Sequence, residues 1–256
     1  MIITLTTDWG NSDFYLPALK GAMLTALPGV QLIDITHNIP RQDTIKTAFI
    51  LSNCFYHFPK GTVHLIGVGS VPEKQGRHLA VLYKGHYFIG TDNGLFSLIM
   101  EEEKSTIVEL EDTTRSSFPM LDVFMKPAVA LAAGKPMSSL GKTREGIMRS
   151  LLAKPTVDAN ILSGSIVYMD AFENAITNIK KDFFEECSRG RSFTIYMRKF
   201  DYNITTLSSN YNDVGRGDIV AFFNSINLLE IAMNQGNAGG LLGLRYRDPI
   251  RIEFHG

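Results

Sequence analysis

The sequence has few cysteines, no excess of charge of either sign and no long hydrophobic run. Its two cysteines, Cys54 and Cys187, are too few for a disulfide framework, and no Cys/His cluster has zinc-site spacing. A formal net charge of −1 gives no electrostatic reason to expect nucleic acid or an acidic membrane as the main partner. No apolar run reaches the ~20 residues that span a bilayer. These absences exclude disulfide-stapled, nucleic-acid-binding and transmembrane classes.

The remaining composition is that of an ordinary folded globule. The chain has 256 residues, of which 45% are hydrophobic and 20% charged, and this length allows one large domain or two modest ones. The N-terminus, MIITLTTDWG, begins directly with an alternating apolar stretch and has no basic segment, which argues against a signal peptide. We therefore expect a soluble cytoplasmic protein.

The first half alternates strand and helix patterns. Pro28-Gly29 ends the first helical pattern, and Asp43 is a good N-cap for the second. Predicted strands cover 1–8, 30–36 and 63–68, a hairpin covers 78–83 and 86–90, and predicted helices cover 14–27, 43–58, 95–102 and 123–133. Strands that alternate with helices predict an α/β domain with a mostly parallel sheet between helices.

The second half shows closely spaced strands and almost no helical period. Predicted strands cover 165–170, 175–179, 192–200, 218–223, 228–233, 241–246 and 250–254. This pattern is typical of a small all-β barrel or sandwich. We predict an N-terminal α/β domain over 1–145, a linker over 146–159 and a smaller C-terminal β domain over 160–256.

The loop after the first strand carries two carboxylates, Asp8 and Asp13. Ligands of open α/β sheets bind beyond the carboxyl ends of the strands. A carboxylate at that place can accept two hydrogen bonds from the vicinal diol of a ribose, and Asp8 lies too early to cap the next helix. Asp13 is either a second ligand group or the N-cap of that helix.

Other polar segments are weaker candidates. Asn93-Gly94 and the segment 170–174 both read as turns, and His37 and His64 lie on apolar strands as core histidines do. The sequence has no Gly-x-Gly-x-x-Gly, Walker A or Gly-x-Ser-x-Gly motif, so it predicts neither a phosphate cradle nor a serine nucleophile. The residues alone predict a ligand site between two domains.

Several collinear motifs resemble one known family. They read LTTDWG at 5–10, DITH at 34–37, FPKGTVH at 58–64, DNGL at 92–95, DAFENAITNI at 170–179 and NSINLLEIAMNQG at 224–236. Together they resemble the S-adenosyl-L-methionine (SAM) hydroxide adenosyltransferases, which are adenosine-forming SAM hydrolases related to the SAM-dependent fluorinase and chlorinase. The resemblance covers nearly the whole chain.

The resemblance implies a two-domain homotrimer with no cofactor. SAM, the substrate or ligand, is expected between the N-terminal domain of one subunit and the C-terminal domain of its neighbour. The implied contacts are Asp8 to the ribose hydroxyls, Asp170 and Ser225 to the methionine part, Asn174 to the adenine and Tyr211 as an aromatic near the adenine. Asn93 and Phe172 lie in these matched segments, and Asp13 shortly follows the first of them. All three are predicted to bind the ligand with the residues above.

The sequence departs from the family at the residues that activate water. The family uses an Asp, an Arg and a His, and these positions are Gly69, Gly76 and Pro119 here. Neither glycine nor proline can deprotonate water with a side chain. Arg77, beside Gly76, remains as a catalytic candidate, and Glu73 or His78 are further substitutes. Glu173 replaces a glycine of the family.

Three interpretations follow from this pattern. The first is a SAM-cleaving enzyme with weak or altered activity, which displaces methionine from the 5′ carbon of SAM. The second is a non-catalytic SAM- or adenosine-binding homologue. The third, a structural subunit with no small ligand, is disfavoured because Asp8, Asp170, Asn174 and Ser225 are all retained.

Overall fold

The structure is a computed structural model that describes residues 1–71, 76–100, 105–111, 116–197 and 202–256. The chain divides into two compact units, Met1–Leu151 and Leu152–Gly256. Each unit has a hydrophobic core of its own. Within the described ranges, none of the helices combines the length and apolar character needed to cross a membrane.

The first unit is built on a seven-stranded sheet in the order β2-β1-β3-β5-β4-β6-β7. Its strands are β1 (Ile2–Thr7), β2 (Gln31–Thr36), β3 (Val63–Gly67), β4 (His78–Tyr83), β5 (His86–Thr91), β6 (Thr106–Leu110) and β7 (Gly141–Arg144). The pairs β1–β2, β1–β3 and β3–β5 are parallel, and the pairs on the β4 side are antiparallel. The predicted α/β class is confirmed, although β6 and β7 are absent from the predicted strands.

Helices cover both faces of this sheet. They are α1 (Tyr15–Ala26), α2 (Thr44–Ser52), α3 (Leu95–Ile99) and α4 (Met125–Ala132), the last preceded by a π-helix over Met120–Phe124. Leu19 of α1 packs in the cluster that holds Ile3 and Leu5 of β1, whereas Leu51 of α2 packs in the cluster with Ile66. Alternate residues of the buried strands therefore face different helix layers, as parallel sheets require.

The helix ends follow local chemistry. Oδ1 of Asp43 accepts a hydrogen bond from the amide of Lys46 at 2.8 Å, so the predicted N-cap of α2 is confirmed. The predicted helix 43–58 nevertheless stops at Ser52, and only a 3₁₀ turn, Phe55–His57, follows it. The helix predicted over 95–102 ends at Ile99, and residues 101–104 lie outside the described residues.

The second unit is an antiparallel, near-closed β-barrel in the order β12-β11-β15-β9-β10-β14-β13, with β8 paired to β9. Its strands are β8 (Thr156–Asp158), β9 (Ile161–Met169), β10 (Ala175–Lys180), β11 (Ser192–Tyr196), β12 (Asn203–Ile204), β13 (Ile219–Phe223), β14 (Leu228–Met233) and β15 (Pro249–His255). The amide of Ser208, just after β12, donates to the carbonyl of Ala221 in β13 at 2.9 Å. This bond joins the two ends of the strand order.

Two short helices correct the predicted all-β pattern of this unit. They are α5 (Lys181–Ser188) and α6 (Ala238–Leu242). The strand predicted over 241–246 is wrong, because the Asn237 side chain accepts the amide of Gly240 and caps α6 at that point. The strand β8 falls inside the segment 146–159 predicted as a linker, and the strand predicted over 192–200 ends at Tyr196. Residues 198–201 lie outside the described residues.

Candidate functional site

Asp8 directly follows β1, at the carboxyl edge of the parallel strands. Its Oδ2 accepts backbone amides from Gln42 at 2.9 Å and from Gly69 at 3.3 Å. Gln42 belongs to the loop after β2, and Gly69 to the loop after β3, so the loops of the two strands that flank β1 converge on this carboxylate. Oδ1 has no hydrogen-bond donor in the described part of the chain. One oxygen is fixed by main chain, and the other can accept hydrogen bonds from a ligand.

A cavity of about 540 Å³ opens beside Asp8. Aromatic rings form part of its wall: the Phe118 ring centroid lies 5.3 Å from that of Trp9 and 5.1 Å from that of Tyr15. Apolar aromatic faces next to a few oriented polar groups are typical of small-molecule sites. Such a wall can contact a flat heterocycle while Asp8 accepts hydrogen bonds from a sugar.

Several lining residues were missing from the predicted site, among them two aromatic residues and one arginine. Trp9, Phe118 and the exposed Arg41 all line the cavity. Trp9 and Arg41 lie in the loops after β1 and β2. Their position at the carboxyl edge of the sheet could have identified them as site residues from the sequence. Phe118 comes from a distant part of the chain, and no local pattern indicates it.

Asp13 also lines this cavity. Helix α1 begins at Tyr15, with Phe14 at its N-cap position and no side-chain capping bond. The structure therefore does not show the capping role that was the alternative for Asp13.

Asn93 supports the site without lining the cavity. Its Nδ2 donates to the carbonyl of Val68 at 3.2 Å, and its Oδ1 accepts the amide of Leu95 at 3.3 Å. A Cβ atom added to Gly69 would lie 3.1 Å from Nδ2 of Asn93. Asn93 thus packs against the segment that carries Gly69.

Arg77 lies in a different cavity, of about 550 Å³, which Gly76 also lines. Its Nε donates to Oδ2 of Asp92 at 3.1 Å, and Oδ1 of Asp92 accepts the amide of Met148 at 2.7 Å. Because Asp92 is 3% exposed, this pairing compensates a buried carboxylate. The structure does not bring Arg77 into the cavity of Asp8.

His78, a further substitute for water activation, does not line the cavity of Asp8 either. His78 is buried, its Nδ1 lies 3.2 Å from the hydroxyl of Thr91, and it lines neither cavity. Glu73 lies outside the described residues. Pro119 is buried at the start of the π-helix, next to the cavity residue Phe118.

The segment 170–174 of the second unit forms the tight turn between β9 and β10. Oδ1 of Asp170 accepts the amides of Phe172 and Asn174 at 2.9 and 2.8 Å, and Oδ2 accepts Nδ2 of Asn174 at 3.0 Å. Asn174 is buried, while Phe172 is 76% exposed. Glu173 has φ = 59°, a left-handed conformation that glycine adopts readily. The turn therefore accounts for the glycine that the resemblance predicts at this position.

Tyr211 belongs to a polar cluster around the buried Glu230. Its hydroxyl donates to Oε1 of Glu230 at 2.6 Å, and Nδ2 of Asn224 donates to Oε2 at 3.0 Å. Burial, the hydrogen bond to Glu230 and the nearby carboxylate of Asp170 raise the pKa of Tyr211. Ser225 is exposed in the turn after β13, next to Asn224. The sequence did not indicate Glu230 as the centre of this cluster.

Metal binding has no evident place in the described residues, which contain no group of three or more His, Cys, Asp or Glu suited to an ion. The buried His64 has a partner for each ring nitrogen, Thr4 at 2.8 Å and His86 at 3.3 Å, so the prediction of a satisfied core histidine is confirmed there. Nδ1 of the buried His37 lies 2.8 Å from the hydroxyl of Thr7, but its Nε2 has no hydrogen-bond partner in the described residues, so the prediction is only partly met at this residue.

Comparison with known proteins covers both units. Residues 3–141 match the SAM hydroxide adenosyltransferase N-terminal domain, and residues 164–251 match the C-terminal domain of that family. The chain is 28% identical to an (R)-S-adenosyl-L-methionine hydrolase of Thermus thermophilus, over 96% of this chain and 97% of the relative. It is 27% identical to a fluorinase of Actinoplanes sp., over 91% of each chain.

A solved structure has the same fold. An uncharacterized conserved protein from Thermotoga maritima superposes with a TM-score of 0.88 at 26% identity, over 98% of this chain and 99% of that chain. Both domains of one family match this chain, in order and over most of the chain's length. The chain therefore belongs to the SAM hydroxide adenosyltransferase family.

Proposed function

We propose that the protein binds SAM through its adenosine part at the cavity beside β1. The observation that carries this proposal is the Asp8 carboxylate, whose Oδ2 is fixed by two backbone amides and whose Oδ1 has no donor in the described residues. A carboxylate in this state accepts hydrogen bonds from the two hydroxyls of a ribose without reorganising. The aromatic wall of Trp9, Tyr15 and Phe118 suits the adenine or the apolar part of the ligand.

The reaction we propose is displacement at the 5′ carbon of SAM. The nucleophile forms a bond to this carbon while the carbon–sulfur bond breaks, and the sulfonium leaves as neutral methionine. A cationic leaving group needs no general acid. The protein then acts by aligning the nucleophile with the 5′ carbon and by excluding bulk water from the nucleophile. With water as nucleophile, the products are adenosine, methionine and a proton.

We propose that hydrolysis is weak or altered in this chain. Gly69 offers only its amide to the site, and that amide already bonds to Asp8. Gly76 lines the other cavity, and Pro119 has no group that can take a proton. A missing general base reduces the rate by about 10²–10⁴-fold. A non-catalytic SAM- or adenosine-binding homologue is the second candidate function, and the same three positions favour it.

Two measurements test these proposals. Pure protein and its Asp8→Ala variant are incubated with SAM, and adenosine and methionine are quantified by chromatography. Loss of adenosine formation in the variant supports the enzyme. Binding of adenosine in calorimetric titration, without turnover of SAM, supports the binding homologue. Absence of both would contradict the assignment of this cavity.

A further inference from the structure

His37 contacts the chain on both sides of Asp8. Its Nδ1 lies 2.8 Å from the hydroxyl of Thr7, and its backbone carbonyl accepts the amide of Gly10 at 2.8 Å. Thr7 is fully buried and His37 is 4% exposed, so water does not compete for these bonds. The amide of Gln42, further along the same loop, holds Asp8 itself. The loop after β2 therefore makes hydrogen-bond contacts at three points: the residue before Asp8, the carboxylate of Asp8 and the residue two positions after it.

Asp34 and Lys20 lie beside the other ring nitrogen of His37. Nε2 of His37 lies 3.1 Å from Oδ1 of Asp34, whose Oδ2 accepts a hydrogen bond from Nζ of Lys20 at 2.6 Å. Partial burial raises the pKa of Asp34, but the hydrogen bond from Lys20 and the proximity of His37 outweigh it, and the net pKa is lowered. The Asp34 carboxylate thus stands beside Nε2, which has no hydrogen-bond partner in the described residues, while Nδ1 contacts Thr7.

We propose that His37 is a positioning residue for recognition of the ligand's ribose. It fixes Thr7 and Gly10, and thereby holds the Asp8 carboxylate at the cavity wall in the orientation that the two sugar hydroxyls require. This inference rests on the proposed function and assigns a role to a network that does not itself touch the ligand.

The same strand contains a matched control. Nδ1 of His64 lies 2.8 Å from the hydroxyl of Thr4. Thr4 and His64 are fully buried, which matches the burial of Thr7 and His37. Nε2 of His64 faces His86 at 3.3 Å, away from any ligand candidate. Loss of either threonine hydroxyl removes one buried bond to a histidine, but only Thr7 adjoins Asp8.

The experiment compares Thr7→Val with Thr4→Val by calorimetric titration. The ligands are adenosine and 2′,3′-dideoxyadenosine, which lacks both hydroxyls that Asp8 would bind. We expect the unmodified protein and Thr4→Val to prefer adenosine by about tenfold or more, a typical effect of charge-assisted hydrogen bonds. In Thr7→Val this preference should fall to about threefold or less, because the carboxylate loses its fixed orientation.

A second pair of variants gives an independent reading. His37→Ala should lose the preference for the hydroxyls, and His37→Asn should keep more of it, since an amide can replace Nδ1 as partner of Thr7. Equal preference in the Thr7 and Thr4 variants, or no difference between His37→Asn and His37→Ala, overturns the inference while the proposed function stands. Failure of the unmodified protein to bind adenosine overturns the proposed function and this inference together.

Discussion

The backbone amide of Gly69 donates a hydrogen bond to Oδ2 of Asp8 over 3.3 Å. Gly69 occupies the position where the family resemblance predicts the water-activating aspartate. Its backbone amide, and not a side chain, supports the carboxylate proposed to bind ribose. Ligand binding and water activation are therefore separable at this position.

Asp8→Ala should weaken the binding of adenosine or SAM by about 2–3 kcal/mol, because charge-assisted hydrogen bonds to the ribose are lost. The fold should survive, since Asp8 lies in a loop after β1. Asp8→Asn keeps an oxygen for the amides of Gln42 and Gly69 and should lose less affinity. Titration calorimetry measures all three proteins, and unchanged affinity of Asp8→Ala would remove this residue from the site.

The triple variant Gly69→Asp, Gly76→Arg and Pro119→His should form adenosine from SAM faster than the unmodified protein. Each single replacement should do little, because water must be oriented and deprotonated by groups that act as a unit. Gly69 has φ = 56°, a conformation that aspartate tolerates better than most residues. Chromatographic assay of adenosine measures the rates.

A triple variant with Gly69→Asn is the control for that experiment. Asparagine fits the same backbone conformation and the same space near Asn93 but cannot take a proton. Equal rates for the two triple variants would show that the gain does not come from a base at position 69. Turnover of about 1 s⁻¹ or more by the unmodified protein, which is typical of an enzyme, would contradict the proposed weak activity.

The protein should be a homotrimer. The candidate ligand residues are divided between two units, with Asp8 in the first and Asp170, Asn174 and Ser225 in the second. The family resemblance implies that a neighbouring subunit completes the site. Light scattering at micromolar concentration should give three times the 28.5 kDa of one chain. A mass near that of a single chain would contradict the prediction.

The first unit could be predicted well because its signals are local. Pro28-Gly29 and Asp43 mark helix ends by their own chemistry, and buried strands such as Val63–Gly67 are short continuous apolar runs. In the second unit, α6 contains two glycines in five residues and is set by the Asn237 cap and by burial of Leu242. Neighbouring leucines in such a segment fit a strand equally well, so tertiary packing determines that the segment is helical.

The residues of the candidate site also differ in how well the sequence could identify them. Asp8 was identifiable because its place at the end of a parallel strand follows from topology. Phe118 reaches the same cavity from a remote segment, and Glu230 collects Tyr211 and Asn224 from separate loops. Contacts between residues far apart in the chain leave no periodic pattern in a single sequence.

Tyr211→Phe should destabilise the second unit by about 1.5–3 kcal/mol, because the buried Glu230 carboxylate loses a charged-group hydrogen bond. The ring itself should stay in place, since its centroid lies 4.8 Å from that of Phe222. Urea unfolding measures the change. Tyr202→Phe, at another partly exposed tyrosine of the same unit, is the control and should differ little from the unmodified protein.

The buried pair His64 and His86 should make the folded protein less stable in acid. Burial and then the proximity of His86 lower the pKa of His64 to about 3, and burial also lowers the pKa of His86. Nδ1 of His64 is engaged with Thr4, and Nε2 lies 3.3 Å from Nδ1 of His86, so the folded protein disfavours a proton on either ring. In the unfolded chain a histidine binds a proton near its ordinary pKa of about 6.5.

Stability should therefore be full above pH 6.5 and should fall as the pH falls toward 3, because in that window the unfolded chain binds more protons than the folded one. For His64 alone, the loss should reach about 2 kcal/mol at pH 5. The free energy of unfolding, measured in urea between pH 7 and pH 5, should fall less steeply in His64→Gln, which cannot titrate. His57→Gln, at an exposed histidine, is the matched control and should keep the slope of the unmodified protein. A His64→Gln slope equal to that of His57→Gln would mean that the buried pair does not cause the acid sensitivity.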